Sequence, residues 1–303
     1  MRQARGARIF MRAMHNCHRN MKESFMVRNL RAILFACVFA LAVVSTSARA
    51  EESVRAAPQA ERQGGSRAAE DGKGWEISVG GGAMYGPAYE GSDRYRVSPL
   101  PDVSVAYEDG LFFANIWDGI GSYPLQGENY KVGASVGFTP GRQEEDDRDT
   151  LRGMGDIDRG ATVNLLGEYG FDQIHLSGKV SKGTEEYGTT AKMELGSMFP
   201  VSEQLTVMGS VGATWADEEH METYFGVSSA QSARSGHGRY HADSGIKSVG
   251  FSIGVVYSIT DQWNVKLMVM GDQLMGDAVD SPIVKSEFNP SVLLSVGYTF
   301  DME

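Results

Sequence analysis

The segment 291–300, SVLLSVGYTF, carries a large apolar or aromatic side chain at every even-numbered position. These positions hold Val292, Leu294, Val296, Tyr298 and Phe300, whereas the odd-numbered ones are mostly small and polar. Successive side chains of a β-strand point to opposite sides, so the pattern predicts a strand with one apolar, aromatic-ended face and one polar face. Such a strand suits a sheet that has lipid on one side and a polar interior on the other.

The same alternation recurs along the chain from Trp75 onward. Eleven clear segments are 75–84, 96–107, 111–117, 129–139, 160–170, 173–182, 190–199, 204–215, 247–260, 262–272 and 290–300. Both chain ends of a membrane barrel lie on the periplasmic side, which requires an even number of strands. The weaker stretch 119–125 (GIGSYPL) supplies the missing one. We predict an all-β fold, a transmembrane antiparallel up-and-down β-barrel of about 12 strands, with 10 as the alternative.

The connections between these segments alternate in length. Short ones fall at 171–172, 200–203 and 260–262, and long ones at 140–159, 182–189, 216–246 and 272–289. Short periplasmic turns opposite long external loops are typical of outer-membrane barrels, whereas a soluble β-sandwich has no reason to collect its long loops at one end. The chain is therefore predicted to lie in the cell outer membrane of a Gram-negative bacterium.

The first 50 residues read as a signal peptide. Arg28 and Arg31 precede the apolar run 32–44, and Ala48-Arg49-Ala50 supplies the small residues of a cleavage site. An uncleaved anchor would need about 20 apolar residues, and a lipoprotein signal would end its apolar run at Cys37. Residues 1–20 are basic and lie outside this signal pattern, so the true start is interpreted as Met21 or Met26 and 1–20 as an extension. Residues 51–74 have no periodicity and are predicted to be a disordered periplasmic tail, and 75–303 the outer-membrane barrel.

Removal of residues 1–50 makes the chain strongly acidic. The whole chain has 28 Lys and Arg against 39 Asp and Glu, and residues 51–303 keep 19 and 38 of them, a net charge of about −19. Such a charge excludes nucleic acid as a natural partner, because phosphate binding needs positive potential. Both cysteines lie in the predicted leader, which excludes a disulfide framework and a thiol nucleophile in the mature chain.

The most acidic loop, 142–158, is one candidate binding site. Its carboxylates are Glu144, Glu145, Asp146, Asp147, Asp149, Asp156 and Asp158. Carboxylate oxygens suit the divalent cations that bridge lipopolysaccharide phosphates. Their spacing matches no calcium-loop pattern, so an extended, solvated loop is the favoured interpretation.

Two histidine patterns are candidates for a metal or catalytic site. His237 and His241 stand four residues apart, but the intervening Gly238 argues against a helix that would bring them together. His175 and Ser177 share the inward face of one strand about 6–7 Å apart, too far for direct nucleophile–base contact. We therefore predict no catalytic, cofactor-binding or metal site, no cofactor and no enzyme activity.

Opposite charges at inward positions are expected to pair as a network that plugs the barrel and leaves little open channel. They are Glu168, Lys179, Lys192, Glu194 and Lys266. Pairing offsets the cost of their desolvation inside a small barrel.

Several motifs, in order and over nearly the whole mature chain, resemble those of the MipA/OmpV family. They are Tyr89-Glu90-Gly91-Ser92-Asp93 with Pro99 and Pro101; Gly141-Arg142 with 151–158 (LRGMGDID); 224–227 (YFGV); 276–278 with 281–284 (SPIV); and Tyr298-Thr299-Phe300. One departure is the three residues Asp301-Met302-Glu303 after the terminal aromatic, which bears on recognition by the assembly machinery.

The resemblance implies an outer-membrane barrel in the lipid bilayer, in contact with lipopolysaccharide, with no established catalytic residues. The family's name-giving member is a scaffold between a murein-degrading transglycosylase and a penicillin-binding protein. The resemblance therefore implies a structural protein that links murein hydrolase and synthase. The alternative is a narrow channel for small solutes, or an adhesin or stress-response protein. The sequence leaves the oligomeric state open.

Overall fold

The computed structural model describes residues 74–184 and 186–302. The predicted signal peptide, and the predicted tail except its last residue, lie outside the described residues. Twelve strands follow one another along the chain. They are β1 (Trp75–Pro87), β2 (Tyr95–Tyr107), β3 (Phe112–Asn115), β4 (Gly119–Gln126), β5 (Tyr130–Thr139), β6 (Gly160–Phe171), β7 (Ile174–Gly183), β8 (Thr189–Pro200), β9 (Leu205–Ala216), β10 (Gly245–Ser258), β11 (Trp263–Leu274) and β12 (Phe288–Met302).

Every strand pairs antiparallel with its sequence neighbours, and β1 pairs with β12 to close the barrel. The prediction of a twelve-stranded up-and-down barrel is confirmed. The weak segment 119–125 is β4, and the turn before it depends on Gly119, whose φ of +82° favours glycine. β3 is shorter than predicted, four residues instead of the seven of 111–117.

The outer surface of the barrel is apolar because the strands keep their alternation. On β12, Leu294 is half exposed while Ser295 is buried. Aromatic rings meet near the periplasmic end, as Trp75 does with Tyr107 and Trp263 with Tyr298. Such rings belong at a membrane interface. No helix among the described residues has the length and apolar character needed to cross a membrane.

The glycine run of β1 allows close approach to β12. A Cβ added at Gly80 or Gly82 would lie 2.3 Å from a carbonyl oxygen of β12, whereas one at Gly81 would meet no atom within 4 Å. Gly80 and Gly82 are therefore required by packing and Gly81 is not.

The external loops carry three short α-helices: α1 (Arg148–Leu151), α2 (Glu218–Phe225) and α3 (Ser229–Ser235). Side chains cap them. Asp217 accepts a hydrogen bond from the His220 N–H at the start of α2, and Ser228 and Gln231 form a capping box on α3. A single turn of 3₁₀-helix also lies in the external loops at 144–146 and at 276–278, and another lies at the periplasmic end at 108–110. These caps fix the loops that cover the barrel's outer mouth.

Candidate functional site

Four external loops pack together above the barrel, and we call them the outer cap: 88–94, 140–159, 217–244 and 275–287. One apolar cluster takes Tyr89, Leu151, Val227 and Ile283 from all four. The Tyr89 hydroxyl donates a hydrogen bond of 2.7 Å to the Ile283 carbonyl oxygen, and burial raises the Tyr89 pKa to about 12. Loops that start at different points of the rim meet here, so the outer cap lies across the mouth.

A second cluster lies beside the first and joins the cap to the barrel rim. It consists of Ala216, Met221, Phe225, Ala242, Leu274 and Ala278, all fully or almost fully buried. Polar bonds reinforce it. The Ser281 hydroxyl donates to the Phe225 carbonyl oxygen at 2.6 Å, and Tyr240 donates to the Asp277 carbonyl oxygen at 2.7 Å. The cap is therefore a packed structure with its own core.

The acidic loop 142–158 is part of this cap, and its interpretation as an extended, solvated loop was wrong. Glu144 accepts hydrogen bonds from the Gly153 and Gly155 N–H groups at 3.0 and 2.6 Å. Both glycines have φ near +85°, as a structural turn requires. The loop folds because Leu151 and Met154 find apolar partners in distant loops. Its like charges are opposed by arginines rather than by solvent alone.

Three arginines hold the acidic loop in place. Arg94 contacts Asp147 at 3.4 Å and also pairs with Asp149, and Arg96 pairs with Asp146. Arg142 is 4% exposed and donates to the Tyr224 carbonyl oxygen at 2.6 Å. Burial lowers the Arg142 pKa. Protein groups thus engage several carboxylates of the divalent-cation site that was the less favoured interpretation of this loop: Glu144, Asp146, Asp147 and Asp149.

The histidines of the cap have separate partners. The His237 Nε2 contacts the Thr150 carbonyl oxygen at 2.7 Å, whereas His241 pairs with Glu222 and lies 3.2 Å from Asp243. The helix before them ends at Ser235, as the glycines predicted. Within the described ranges no group of three or more His, Cys, Asp or Glu side chains is arranged to hold a metal ion.

The sequence reasoning did not identify His220 as a structural residue. It is 3% exposed, stacks on Tyr224 and meets the Tyr187 ring edge-on. Its Nδ1 lies 2.8 Å from the Tyr187 carbonyl oxygen. Burial, and then the nearby Lys247 cation, lower the His220 pKa to about 4. No spacing in the sequence signals this, because Tyr187 lies in a different loop.

Several inward charges of the barrel form ion pairs inside the lumen. Lys192 pairs with Glu194 at 2.9 Å on its own strand, as predicted. Lys266 pairs with Asp102 at 3.1 Å. Lys179 pairs with Asp118, at the tip of the β3–β4 turn, at 2.9 Å. The sequence analysis named the two lysines but neither aspartate.

Further polar and apolar contacts narrow the periplasmic half of the lumen. Phe113, Tyr123 and Leu166 form a buried cluster on β3, β4 and β6. The Tyr123 hydroxyl donates a hydrogen bond of 2.6 Å to Glu168. The lumen is therefore covered outside by the cap, crossed by ion pairs and narrowed inside by aromatic rings.

His175 and Ser177 do not form a catalytic pair. The His175 ring packs against the backbone of Gly196 on β8, and Glu168 and Glu194 are the charges near it. In the part of the chain that the structure describes, no hydrogen bond joins His175 to Ser177. The arrangement supplies no activated nucleophile there.

A cavity of about 300 Å³ remains in the outer half of the lumen. Its polar wall includes Lys179, Lys192, Lys247 and Asp272, and two aromatic residues, Trp117 and Phe138, line it as well. Lys247 pairs with Glu90 of the cap at 2.6 Å.

The periplasmic end is formed by five short turns: 108–111, 127–129, 172–173, 201–204 and 259–262. Each carries at least one carboxylate and none carries a Lys or Arg. The acidic residues are Glu108, Asp109, Glu128, Asp172, Glu203 and Asp261. We call these five turns the acidic inner rim.

A closed antiparallel barrel with an apolar outer surface and long loops at one end is an outer-membrane β-barrel of a Gram-negative bacterium. The family model described as MltA-interacting protein MipA matches residues 79–300, and the chain belongs to this family.

Curated relatives match over a shorter segment. The MltA-interacting proteins of Escherichia coli (strain K12) and Shigella flexneri are both 29% identical to the chain over 96 residues. That segment is 32% of this chain and 38% of each relative, so the match spans less than half the length of these relatives.

The chain also matches the solved structures of two porins. The KdgM porin has a TM-score of 0.37 at 7% identity, and the match covers 74% of this chain and 99% of that one. The NanC porin has a TM-score of 0.38 at 9% identity, with 73% and 98% covered.

Proposed function

We propose that this chain is a non-enzymatic outer-membrane scaffold whose acidic inner rim holds a murein transglycosylase and, through it, a murein synthase. Membership of the family described as MltA-interacting protein supports the type of partner. The observation that carries the proposal is the acidic inner rim, five turns with carboxylates and no basic residue, on the side that faces the periplasm.

The rim favours a partner with a basic patch. Most of its carboxylates are exposed, among them Glu128, Asp172, Glu203 and Asp261. Complementary charge raises the association rate and sets the orientation of two proteins. Because the turns are short, they offer a flat ring of charge rather than a deep groove.

The state of the lumen argues against the alternative of a narrow channel. The outer cap, the Lys266–Asp102 and Lys179–Asp118 pairs and the Phe113–Tyr123–Leu166 cluster all stand in the path of a solute. A scaffold needs no open path, whereas a channel does. Planar-bilayer recordings of the purified barrel are expected to show no steady conductance, and a stable open level at neutral pH would favour the channel.

Affinity capture tests the scaffold. The tagged, full-length protein in detergent is mixed with the purified transglycosylase of its own organism. A rim variant that neutralises five of the six carboxylates (Asp109→Asn, Glu128→Gln, Asp172→Asn, Glu203→Gln and Asp261→Asn) and keeps Glu108 is expected to retain at least tenfold less enzyme. Asn is chosen because Asp109 and Asp172 have positive φ, which Asn tolerates.

A matched control removes five exposed carboxylates from the external loops instead. Its substitutions are Asp93→Asn, Glu145→Gln, Asp158→Asn, Asp243→Asn and Glu287→Gln. The control is expected to capture as much enzyme as the wild-type protein. Equal capture by the rim variant, with the barrel folded on a heat-modifiability gel, would refute the proposed binding face.

A further inference from the structure

The barrel wall is incomplete between β2 and β5. β2 pairs with β3 only from Ser104 to Tyr107, so residues 95–103 pair with β1 alone. On the other side, β4 pairs with β5 no further than Val136, so 137–139 pair with β6 alone. The short β3–β4 hairpin stops below this level. It leaves a gap of three strand spacings, about 14 Å along the wall. We call it the side window.

The β2 edge of the side window is protected against pairing with another strand. The Glu108 N–H donates a hydrogen bond to the Gly74 carbonyl oxygen. Hydrogen-bonded and non-hydrogen-bonded residue pairs alternate along an antiparallel pair of strands, so the even-numbered residues of β2 are the ones whose backbone groups bond to β1. Odd-numbered residues therefore direct their backbone groups into the gap. Two of them are Pro99 and Pro101, which have no N–H. Prolines at an edge prevent the addition of a strand, so the gap is built to stay open.

The other borders of the side window are fixed. Above it, Arg94 of the cap and Arg96 of β2 pair with aspartates of the loop that follows β5. Below it, Asn115 Oδ1 accepts the N–H groups of Trp117 and Asp118 at 2.8 and 2.7 Å. Lys179 of β7 then holds Asp118 by an ion pair of 2.9 Å.

The side window lies at membrane height and has an apolar border. Phe138 and Tyr130 lie on the same face of β5, eight residues apart. For a strand tilted by roughly 40°, this separation places Phe138 about 20 Å above the belt of aromatic residues at the periplasmic end. Val97, Trp117, Ile120 and Phe138 are all more than half exposed. This height is near the outer edge of an apolar band about 25 Å tall.

The cavity in the lumen reaches the side window. Trp117 and Phe138 belong to the border and also line the cavity of about 300 Å³, together with inward residues such as Thr162, Ser181 and Thr214. A volume of this size is at the small end of ligand pockets. It suits the polar head of a lipid, while the apolar chain stays among the residues of the border.

The cavity charges indicate what kind of head it would take. Lys179, Lys192 and Lys247 each already pair with a carboxylate. A lipid head with a single net charge would bind one member of such a pair and leave the other without a partner. A zwitterionic head can pair its phosphate with the lysine and its ammonium with the carboxylate. Backbone carbonyls of odd-numbered β2 residues face the gap and accept hydrogen bonds, which a primary ammonium can donate and a trimethylated one cannot.

We propose that the side window admits the phosphoethanolamine head of a membrane phospholipid into the cavity. The proposal rests on strand register and cavity lining, and it is independent of the scaffold function.

Native mass spectrometry of the purified full-length protein tests it. The probe is lysophosphatidylethanolamine, with lysophosphatidylcholine and lysophosphatidylglycerol as comparison arms. One molecule of the ethanolamine lipid is expected to remain bound per barrel. The choline lipid should bind about fivefold more weakly because it cannot donate hydrogen bonds.

Two cavity variants and one control variant locate the binding. Thr214→Trp fills the cavity and is expected to weaken retention at least tenfold. Ser252→Trp, which adds the same ring at an inward position outside the cavity lining, should leave retention unchanged. Ser181→Phe serves as the second cavity variant if Thr214→Trp does not assemble. Equal retention by all three lipids, no retention, or retention that survives both cavity variants would each overturn the proposal.

Discussion

Leu151 is predicted to control how often the outer cap opens. Its side chain is fully buried among Tyr89, Met154, Val227 and Ile283. Leu151→Ala removes a buried isobutyl group and leaves a cavity, which costs roughly 2–5 kcal/mol in packed cores. Because the cap consists of loops that can partly collapse around the cavity, we expect a value of about 2–3 kcal/mol.

Trypsin cleavage after Arg142 reports this opening. The residue is 4% exposed, so cleavage requires the cap to open. When opening and closing are fast compared with cleavage, the cleavage rate follows the open population. A loss of about 2–3 kcal/mol then accelerates cleavage roughly 30- to 150-fold. The rate is measured by mass spectrometry of the peptide that ends at Arg142, in detergent, with the barrel intact.

The matched control is Leu125→Ala. Leu125 is 60% exposed on the outer surface of β4, so its truncation removes little packing within the protein. It should leave the cleavage rate after Arg142 unchanged. The reasoning is refuted if Leu151→Ala is cleaved no faster than the wild-type protein, or if both leucine variants are cleaved equally fast.

Three further predictions concern the barrel wall, the lumen and the cap. Gly82→Ala places a Cβ 2.3 Å from a β12 carbonyl oxygen and should destabilise the barrel by about 1–3 kcal/mol, whereas Gly81→Ala should leave its stability unchanged. The unfolding temperature on SDS gels measures this, and a lower value for both variants would contradict the prediction. Lys266→Met leaves the side chain of Asp102, which is 13% exposed, without its cation and should lower the barrel's stability by about 1–3 kcal/mol. Lys182→Met removes a half-exposed ion pair and should cause no measurable change. Equal losses of stability on thermal unfolding would show that burial does not decide the effect. Burial lowers the pKa of His220 to about 4, whereas in the open cap this histidine has its ordinary pKa of about 6.5. The open cap therefore binds a proton more readily than the closed cap, and the cap's stability should fall as the pH drops from about 6.5 towards 4. Hydrogen exchange in the cap, corrected for intrinsic rates, should show this fall in the wild-type protein and a flatter profile in His220→Gln, and a flat wild-type profile would argue against it.

The barrel was predictable because its signal is local. Strands such as β10 and β12 alternate residue by residue, and the need for an even number of strands located β4 despite its weak pattern. The tight turn before β4 also had a local sign in Gly119.

The site was less predictable because its contacts join distant parts of the chain. The loop 142–158 was predicted to be solvated, since no nearby residue shows that Leu151 packs against residues of three other loops. Lys266 was identified but Asp102, which lies 164 positions away, was not. The side window follows from strand register, and the alternation pattern does not contain that information.

An affinity titration tests most directly whether the acidic inner rim is the face that binds the transglycosylase. The barrel in nanodiscs is titrated with the purified transglycosylase at low and at physiological salt. The account predicts saturable binding that weakens with salt, as exposed charges require, and a rise of at least tenfold in Kd for the rim variant but not for the external-loop control. Binding that is insensitive to salt and unchanged in the rim variant, or no binding to the wild-type barrel, would contradict it.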